Sequence, residues 1–579
     1  LGRAIVGFYG IGLVGICLAC LLAGCAGNPR GGSAAGGAGG WEGRTIVQTA
    51  SGPVRGHPDR LGTIAWKGLP YAAPPVGELR WKAPQDPLPW RDLRDAGRFG
   101  NPALQQAPFV GAVFGSEDCL YLNVWRSAGG GTGLPVYVFI HGGGNSTGSA
   151  NLVNDYLGWA VAARSGMVFV SMNYRLGPLG WFLDPAVTGA AGALDDSASG
   201  NFGTLDIIKA LEWVRRNIAA FGGDPERVTV AGESAGAFNV LSLLLSPRAS
   251  GLFQRAVSES GAQNAVTRGV AEAASADLIA AWFMKTGRAK TREGALAAAR
   301  AIAPADLASL LRKADARTLV GLRKGGVTGM TGWPTIISDG RVIPESGFGA
   351  FKDGSWPNKV PLLLGSNKEE TKLFLYFDRK LDWKGRPYEE AAKYGSLSWK
   401  ANGVDEIADS IAGADAAAGS PPVFVYRFDW GAPGMDGASI LPGNWGRRLG
   451  AFHSLEVSFF LGTGSCLGPL FTGRLFTAAN RPGREALSAA CMRYLAAFAA
   501  SGDPNPAGGG LPYWPPRPSR AAQAAAGGRA VGLVLDATKE GLRISPLTEV
   551  VTRQGVLDAI DSGLEPALAA EVRARLLIR

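Results

Sequence analysis

Histidine is scarce in this chain: among 579 residues there are three, His57, His141 and His453. Chemistry that needs an imidazole therefore has few candidates. Cysteine is nearly as rare. Three of the six, Cys17, Cys20 and Cys25, lie in the first 25 residues, which leaves Cys119, Cys466 and Cys491 for the body. An odd number cannot pair completely, so the fold rests on its apolar core and not on a disulfide framework. Blocks of Lys or Arg are also missing. The formal net charge of +10 is scattered along the chain, no nucleic-acid motif accompanies it, and it reads as a solubility bias. The 84 glycines follow no G-X-Y period and no repeat is visible, which excludes a fibrous protein. What is there, 46% hydrophobic and 18% charged, is an ordinary globular balance with material for a large core.

The amino-terminal residues differ from the rest. Arg3 precedes an apolar run from Ala4 to Gly24 that ends in Leu22-Ala23-Gly24-Cys25. A short positive region followed by an apolar one is the pattern of an export signal, and the tetrapeptide resembles the bacterial lipoprotein signal. That resemblance implies cleavage before Cys25, a lipid on its thiol, and an exported chain held to a bacterial membrane. Plain cleavage or an uncleaved anchor are the alternatives. Residues 26–42, rich in Gly and Ala, read as a flexible tether. Residues 43–579 read as one domain, with no convincing linker inside it.

Strand-like and helix-like segments alternate through the body. Val136–Ile140, Met167–Ser171, Val228–Ala231, Val360–Leu364 and Val423–Phe428 read as strands. Leu205–Ile218 places apolar residues on one helical face, and Ala235–Leu245 reads as a helix. The alternation predicts an α/β fold with a mostly parallel central sheet flanked by helices. The Ala- and Leu-rich stretch 267–327 is expected to form helical cap insertions. Ile411–Pro422 and Pro506–Pro518 read as surface loops.

Gly232-Glu233-Ser234-Ala235-Gly236 stands between a strand and a helix. A sharp strand-to-helix turn needs residues without side chains, and it lifts the serine hydroxyl to the sheet edge as a nucleophile. His141-Gly142-Gly143-Gly144 follows the strand Val136–Ile140. Here backbone N–H groups can approach a substrate oxygen, so Gly143 and Gly144, with Ala235, are the expected oxyanion donors. The loop lacks the Lys-Ser/Thr ending of a phosphate loop. A serine nucleophile needs a base. His57 lies in an amino-terminal Gly/Pro turn, His141 is committed to the glycine loop, and His453 remains, in the order nucleophile, acid, histidine of α/β-hydrolases.

The body from about Gly52 to Trp514 resembles the type-B carboxylesterase family, which includes the cholinesterases. The resemblance is carried by Gly68–Ala72, Pro74–Gly77, Ser116–Trp125 and the His141 loop, then by Asn173-Tyr174-Arg175, Phe221–Pro225, the Ser234 turn, Gly502–Asn505 and Trp514-Pro515. It implies the α/β-hydrolase fold and hydrolysis of small-molecule carboxylic esters through an acyl-enzyme, with no metal and no organic cofactor. In the family the triad acid is a Glu three residues after an Asn, which falls on Glu370 after Asn367. The neighbouring Glu369 then reads as a solvated or structural carboxylate. The family histidine segment falls on His453-Ser454-Leu455-Glu456, in agreement with the elimination above. An Arg80–Glu117 salt bridge is likewise implied.

Departures from the family pattern bear on function. Leu104 stands where the family has the partner of Cys119. Ala262 replaces a supporting Ser, and Asn145 replaces an aromatic residue after the glycines, which predicts a more polar or wider pocket wall. No Trp occurs between Trp90 and Trp125, so the cation–π platform for choline esters is missing. An acyltransferase or thioesterase using the same triad is the alternative activity. A non-catalytic binding module is disfavoured by retention of Ser234, Glu370, His453 and the glycine loop.

Overall fold

Successive residues of the run 136–140 belong to two different cores. Val136, Val138 and Ile140 join one apolar cluster, Tyr137 and Phe139 the other, and all five are buried. A strand sends alternate side chains to opposite faces, so an unbroken apolar run requires cover on both sides. The computed structural model describes residues 43–577 apart from 152–153, 190–194, 327, 379, 414–419, 435, 520–521 and 524–527. The expected export signal, Cys25 and the tether lie outside the described residues.

Eleven strands form the main sheet, numbered here along the chain. They are β1 (His57–Pro58), β2 (Thr63–Pro70), β3 (Tyr121–Ser127), β4 (Leu134–Ile140), β5 (Val168–Met172), β6 (Gly223–Glu233), β7 (Arg255–Glu259), β8 (Leu362–Asn367), β9 (Val423–Phe428), β10 (Gly532–Leu535) and β11 (Ser545–Leu547). Their spatial order is β11-β10-β9-β8-β7-β6-β4-β5-β3-β2-β1. From β5 to β10 all neighbours are parallel; β1, β2 and β3 at one edge and β11 at the other are antiparallel. The chain leaves β4 first to one side, for β5, and then to the other, for β6. Such a reversal opens a crevice beyond the carboxyl ends of the strands, where open α/β sheets bind ligands. The glycine loop after β4 and the Ser234 turn after β6 both lie there.

Helices α1 (Phe202–Asn217) and α2 (Ala235–Leu245) cover the sheet. The cap stretch folds as α3 (Arg268–Lys285), α4 (Arg292–Arg300), α5 (Pro304–Arg312) and α6 (Ala316–Gly321). Its breaks follow local chemistry: Thr267, Thr291 and Asp315 accept hydrogen bonds from the first turns of α3, α4 and α6, and Pro304 opens α5. Further on, α7 (Arg386–Lys400) packs against α8 (Arg553–Gly563) and α9 (Pro566–Ala574) in a separate apolar cluster.

The fold class agrees with expectation, while some boundaries move. Helix α1 starts at Phe202, β6 starts at Gly223, and the strand expected over 360–364 is Leu362–Asn367. Residues 411–413 complete a helix, Glu406–Gly413, that begins before the expected loop. His57 lies in edge strand β1, paired with Ala65, and not in a turn; its ring meets Asp95 at the surface. Cys119, Cys466 and Cys491 are buried free thiols.

Two ion pairs tie the layers together. Arg80 bonds Glu117 through Nε (2.6 Å) and Nη2 (2.7 Å) and donates from Nη1 to the carbonyls of Leu311 and Ala314 at the end of α5. A guanidinium there satisfies carbonyls that the helix leaves open. Arg175, just past β5, donates through Nε (2.8 Å), Nη2 (2.7 Å) and its backbone N–H (3.0 Å) to Asp206 on α1. Both side chains are almost fully buried. Removing one partner of such a pair strands a charge without water. Asp206→Ala should therefore lower stability by about 3–5 kcal/mol in urea denaturation. A loss below about 1 kcal/mol, the range of an exposed pair, would show that Arg175 finds another partner.

Candidate active site

Ser234 has φ +56° and ψ −124°, a region L-residues rarely adopt. The turn leaves it little choice. A Cβ on Gly232 would lie 2.5 Å from the Gly236 backbone, and one on Gly236 would lie 2.0 Å from the Ile140 carbonyl oxygen. The Ser234 N–H donates to the Glu259 carbonyl (3.0 Å), which anchors the turn on the next strand. Ser234 is half-buried, and Ala235 opens α2, so the Ala235 N–H has no carbonyl to meet within the helix.

The glycine loop packs directly on this turn: a Cβ on Gly142 would lie 3.0 Å from the Ser234 Cβ. Gly143 and Gly144 have φ +109° and +63°, and a side chain on either would strike Thr147 or Met330. The Gly143 carbonyl accepts from the N–H groups of Ser146 (3.2 Å) and Thr147 (3.0 Å). The Gly142 carbonyl faces His141 Nδ1 at 2.8 Å. In a trans peptide the N–H points opposite the carbonyl, so the Gly143 and Gly144 N–H groups point away from the loop interior. His141 itself stacks on Tyr174, and burial holds its imidazole down at about 4, so it stays neutral inside the loop.

Asn145 departs from expectation. It is 1% exposed, with φ +52°, and its amide joins Tyr174, Asn239 and Thr335 in a hydrogen-bonded set behind the loop. It therefore holds the loop from behind and lines no pocket wall. Asparagine tolerates the left-handed region, and its amide satisfies buried partners that an aromatic residue would not.

On the far side of the turn, His453 Nδ1 lies 2.6 Å from Glu370 Oε2, and Glu370 Oε1 accepts from the Asn367 N–H (2.6 Å). His453 and Glu370 are 3% and 0% exposed. The imidazole sits against Trp399 and Phe374, with ring centroids 4.7 and 5.1 Å away. Its Nε2 makes no hydrogen bond in this structure, and Glu233 Oε1 is 3.2 Å from it. A second carboxylate thus reaches the ring, but at the nitrogen opposite the one held by Glu370.

Glu369 is not solvated. It pairs with Lys372 (2.7 Å), which is itself buried, and exchanges hydrogen bonds with the backbone of Ala451, two residues before His453. Its role is to pin the histidine segment.

Several residues beyond the motifs complete the cluster. Glu456 contacts Ser260 Oγ and Asn367 Nδ2, Ser454 Oγ contacts Glu233, and Tyr156 donates to Glu233 (3.3 Å). Trp399 Nε1 donates to the carbonyls of Ser260 (3.1 Å) and Gly261 (3.0 Å). Ala262 is buried and offers no polar group, so Ser260 and Glu456 support the site there. Glu456 closes the histidine motif read from the sequence, whereas Ser260 lies outside the motifs. Their sequence separation hid their contact.

Three buried glutamates, Glu233, Glu370 and Glu456, therefore act on one imidazole, and a fourth, Glu259, acts on Glu233 and Glu456. Burial disfavours the His453 cation, but Glu233 and Glu370 favour it and prevail, raising it to about 9. Burial raises Glu233, pushes Glu456 up to about 8 with help from Glu370 and Glu233, and holds Glu259 well above the usual carboxylate range. A protonated Glu233 would no longer favour the imidazolium, so these shifts compete. Coulombic attraction to the carboxyl groups favours the protonated ring, while burial favours the neutral form of each acid.

Comparison with known proteins places this geometry. The family model described as the Carboxylesterase family matches residues 43–400. Para-nitrobenzyl esterase of Bacillus subtilis (strain 168) is 35% identical over 439 residues, covering 72% of this chain and 83% of that protein. Carboxylesterase 1D of Rattus norvegicus is 33% identical over 530 residues, covering 81% and 87%. Among solved structures, a Geobacillus stearothermophilus carboxylesterase superposes with a TM-score of 0.65 at 30% identity, covering 87% of this chain and 98% of that one. A thermophilic para-nitrobenzyl esterase gives 0.65 at 29% identity, covering 88% and 99%. With its large mixed sheet, its strained serine at the switch point and these relatives, the chain belongs to the carboxylesterase family and is a serine carboxylic-ester hydrolase of the α/β-hydrolase fold.

Proposed function

We propose that Ser234, His453 and Glu370 form the catalytic triad of this hydrolase. The observation that carries the reading is the 2.6 Å contact between Glu370 Oε2 and His453 Nδ1. A carboxylate there fixes the tautomer whose other nitrogen is free to take the serine proton. The ring moves from Glu233 Oε1 toward the Ser234 hydroxyl, beside it in the chain. The Oγ–carbon bond forms as His453 takes the hydroxyl proton. Negative charge on the carbonyl oxygen is met by the N–H groups of Gly143, Gly144 and Ala235. The carbon–oxygen ester bond then breaks, His453 protonates the departing alcohol, and water repeats the sequence on the acyl-enzyme.

The site takes small-molecule carboxylic esters. Relatives named for para-nitrobenzyl esters and for medium-chain fatty acyl-CoA support a broad acyl class. We also place the protein at the cell envelope of a bacterium, anchored to the membrane by a lipid on Cys25. That reading rests on the sequence Leu22-Ala23-Gly24-Cys25. Among the described residues no single helix is long and apolar enough to cross a membrane.

Ser234→Ala should abolish ester turnover and covalent labelling by an organophosphate with the fold intact. Glu370→Gln should reduce kcat by as much as ~10⁴, with little change in melting temperature. Glu369→Gln should instead lower the melting temperature, because it weakens the partner of buried Lys372, and leave turnover within about tenfold of the original. Label on another serine, or reversed effects of the two glutamates, would refute the assignment.

Activity requires neutral His453. Its pKa is raised in the folded enzyme, so kcat/KM for a neutral ester should rise with pH. The midpoint should lie above the ordinary histidine value of 6.5, toward about 9. Glu233→Gln removes a charge that favours the imidazolium and should move the midpoint down. A wild-type midpoint at or below 6.5 would show that the carboxylates do not hold the proton on the ring.

Cys25→Ser should release the protein from the membrane fraction or leave it as precursor. Mass spectrometry of the mature amino terminus reads the lipid directly, and an unmodified Cys25 excludes it.

A further inference from the structure

Helix α7 runs into one wider turn, Ala401–Asp405, before the helix Glu406–Gly413 begins. In that turn the Glu406 N–H bonds the Ala401 carbonyl, five residues back. Every residue from Ser398 to Asp405 is buried. In a regular α-helix, residues five apart lie about 140° from each other around the axis. The wider turn brings Lys400 and Asp405 face to face, and they form an ion pair almost wholly out of water. Turns of this kind are rare and collect at functional sites.

A buried ion cluster holds the turn on its outer side. Arg517 Nη1 donates to Asp405 Oδ1 (3.1 Å), and its Nε and Nη2 donate to Asp409 Oδ1 (3.0 and 2.6 Å). Lys400 Nζ also donates to the Glu549 carbonyl (3.0 Å), and the Val551 N–H donates to Asp405 Oδ2 (2.9 Å). Such a cluster often stabilises a fold no better than apolar residues of the same volume. What it does impose is one geometry, because each charge needs its partner in place.

On its inner side the same segment touches the site at several points. Trp399 Nε1 bonds the carbonyls of Ser260 and Gly261, and its ring lies 4.7 Å from the His453 ring. The Asn402 side chain accepts from the Gln263 N–H and its carbonyl accepts from the Gln263 side-chain amide, both at 2.7 Å. A Cβ on Gly403 would lie 1.9 Å from the Gly261 carbonyl oxygen, so the two backbones are in contact there. One turn before Trp399, Ser396 Oγ accepts from the N–H of Thr371, the residue after Glu370 (3.2 Å). Closing the wide turn into a regular one would rotate α7 against the residues beyond it by about 100°, one residue's share of a turn. Trp399, directly before the turn, would then lose the His453 ring or its own hydrogen bonds.

We propose that Asp405 is a positioning residue for ester hydrolysis: its ion pairs with Lys400 and Arg517 keep the wide turn open, and the turn holds the Trp399 indole against His453. The inference rests on the triad reading and extends it. Asp405, wholly buried among its partners, acts through Trp399, which fixes where the imidazole can carry the serine proton.

The test uses the full chain with para-nitrophenyl acetate, with rates counted per site titrated by an organophosphate. Asp405→Asn keeps the side chain's shape and an acceptor oxygen and removes the charge. Its kcat should fall about 10- to 100-fold, the scale of a small displacement at reacting groups, with KM within about twofold of the original. Trp399→Phe should also lose kcat and spare KM. The double variant should lose little more than the weaker single variant, because both changes act through one ring. A role in the fold alone would lower the melting temperature and leave kcat per titrated site unchanged. Should Asp405→Asn not fold because it strands Lys400, Lys400→Met combined with Asp405→Asn removes both charges and carries the same readout. A kcat per site within about threefold of the original, or losses that multiply in the double variant, overturns this inference alone. A wild-type enzyme without ester turnover, or labelled at a serine other than Ser234, overturns the triad reading and this inference with it.

Discussion

An imidazole almost closed off from water lies between two carboxylates, Glu370 at Nδ1 and Glu233 at Nε2. A cluster with this much negative charge would be costly to bury without a cation inside it. The surrounding structure holds the imidazole in place. Glu369 and Lys372 pin the backbone before His453, Glu456 and Asn367 hold the loops on either side, and Trp399 and Phe374 exclude water from the ring faces. The enclosure by itself disfavours the imidazolium and the carboxylates outweigh it, and the same low local dielectric strengthens every hydrogen bond to the ring.

The sheet explains why these groups meet. Strands β4, β6, β7 and β8 run parallel, so the segments that follow them emerge along one edge. The glycine loop, Ser234, Ser260 and Glu370 each come just after a strand end. Alternation of side chains along the strands then fills two cores, one on each face, and makes the strand ends rigid platforms. Strain at Ser234 is sustainable because the turn is locked by close glycine contacts and by a bond to the neighbouring strand.

Electrostatics and strain are thus divided between two parts of the site. The β4 and β6 ends carry the glycine loop and the strained Ser234. The segments after β8 and β9 carry Glu370 and His453, in contact at 2.6 Å. The hairpin in which Gln105–Gln106 pairs with Val113–Phe114 links the two halves, with polar ties from Gln105 to Gly148 at its base and a Phe109–Phe377 contact at its tip.

The residues alone determined what depends on short stretches of chain. The turn at Ser234 was legible because its glycines, preceding strand and following helix are contiguous, and helix Ala235–Leu245 and strand Val423–Phe428 have the bounds read from their apolar runs. His453 followed from the shortage of histidines, and Glu370 was distinguished from Glu369 by resemblance, since position after the strand allowed either. Tertiary structure alone decided which distant groups face one another. It put Glu233 against His453, turned Asn145 into the loop's buried support, placed His57 on an edge strand and brought Phe109 to Phe377. Periodicity reports whether a residue is buried. It carries no record of the partner, because a contact between remote segments is set by how the strands order in the sheet and by the loops that return to it.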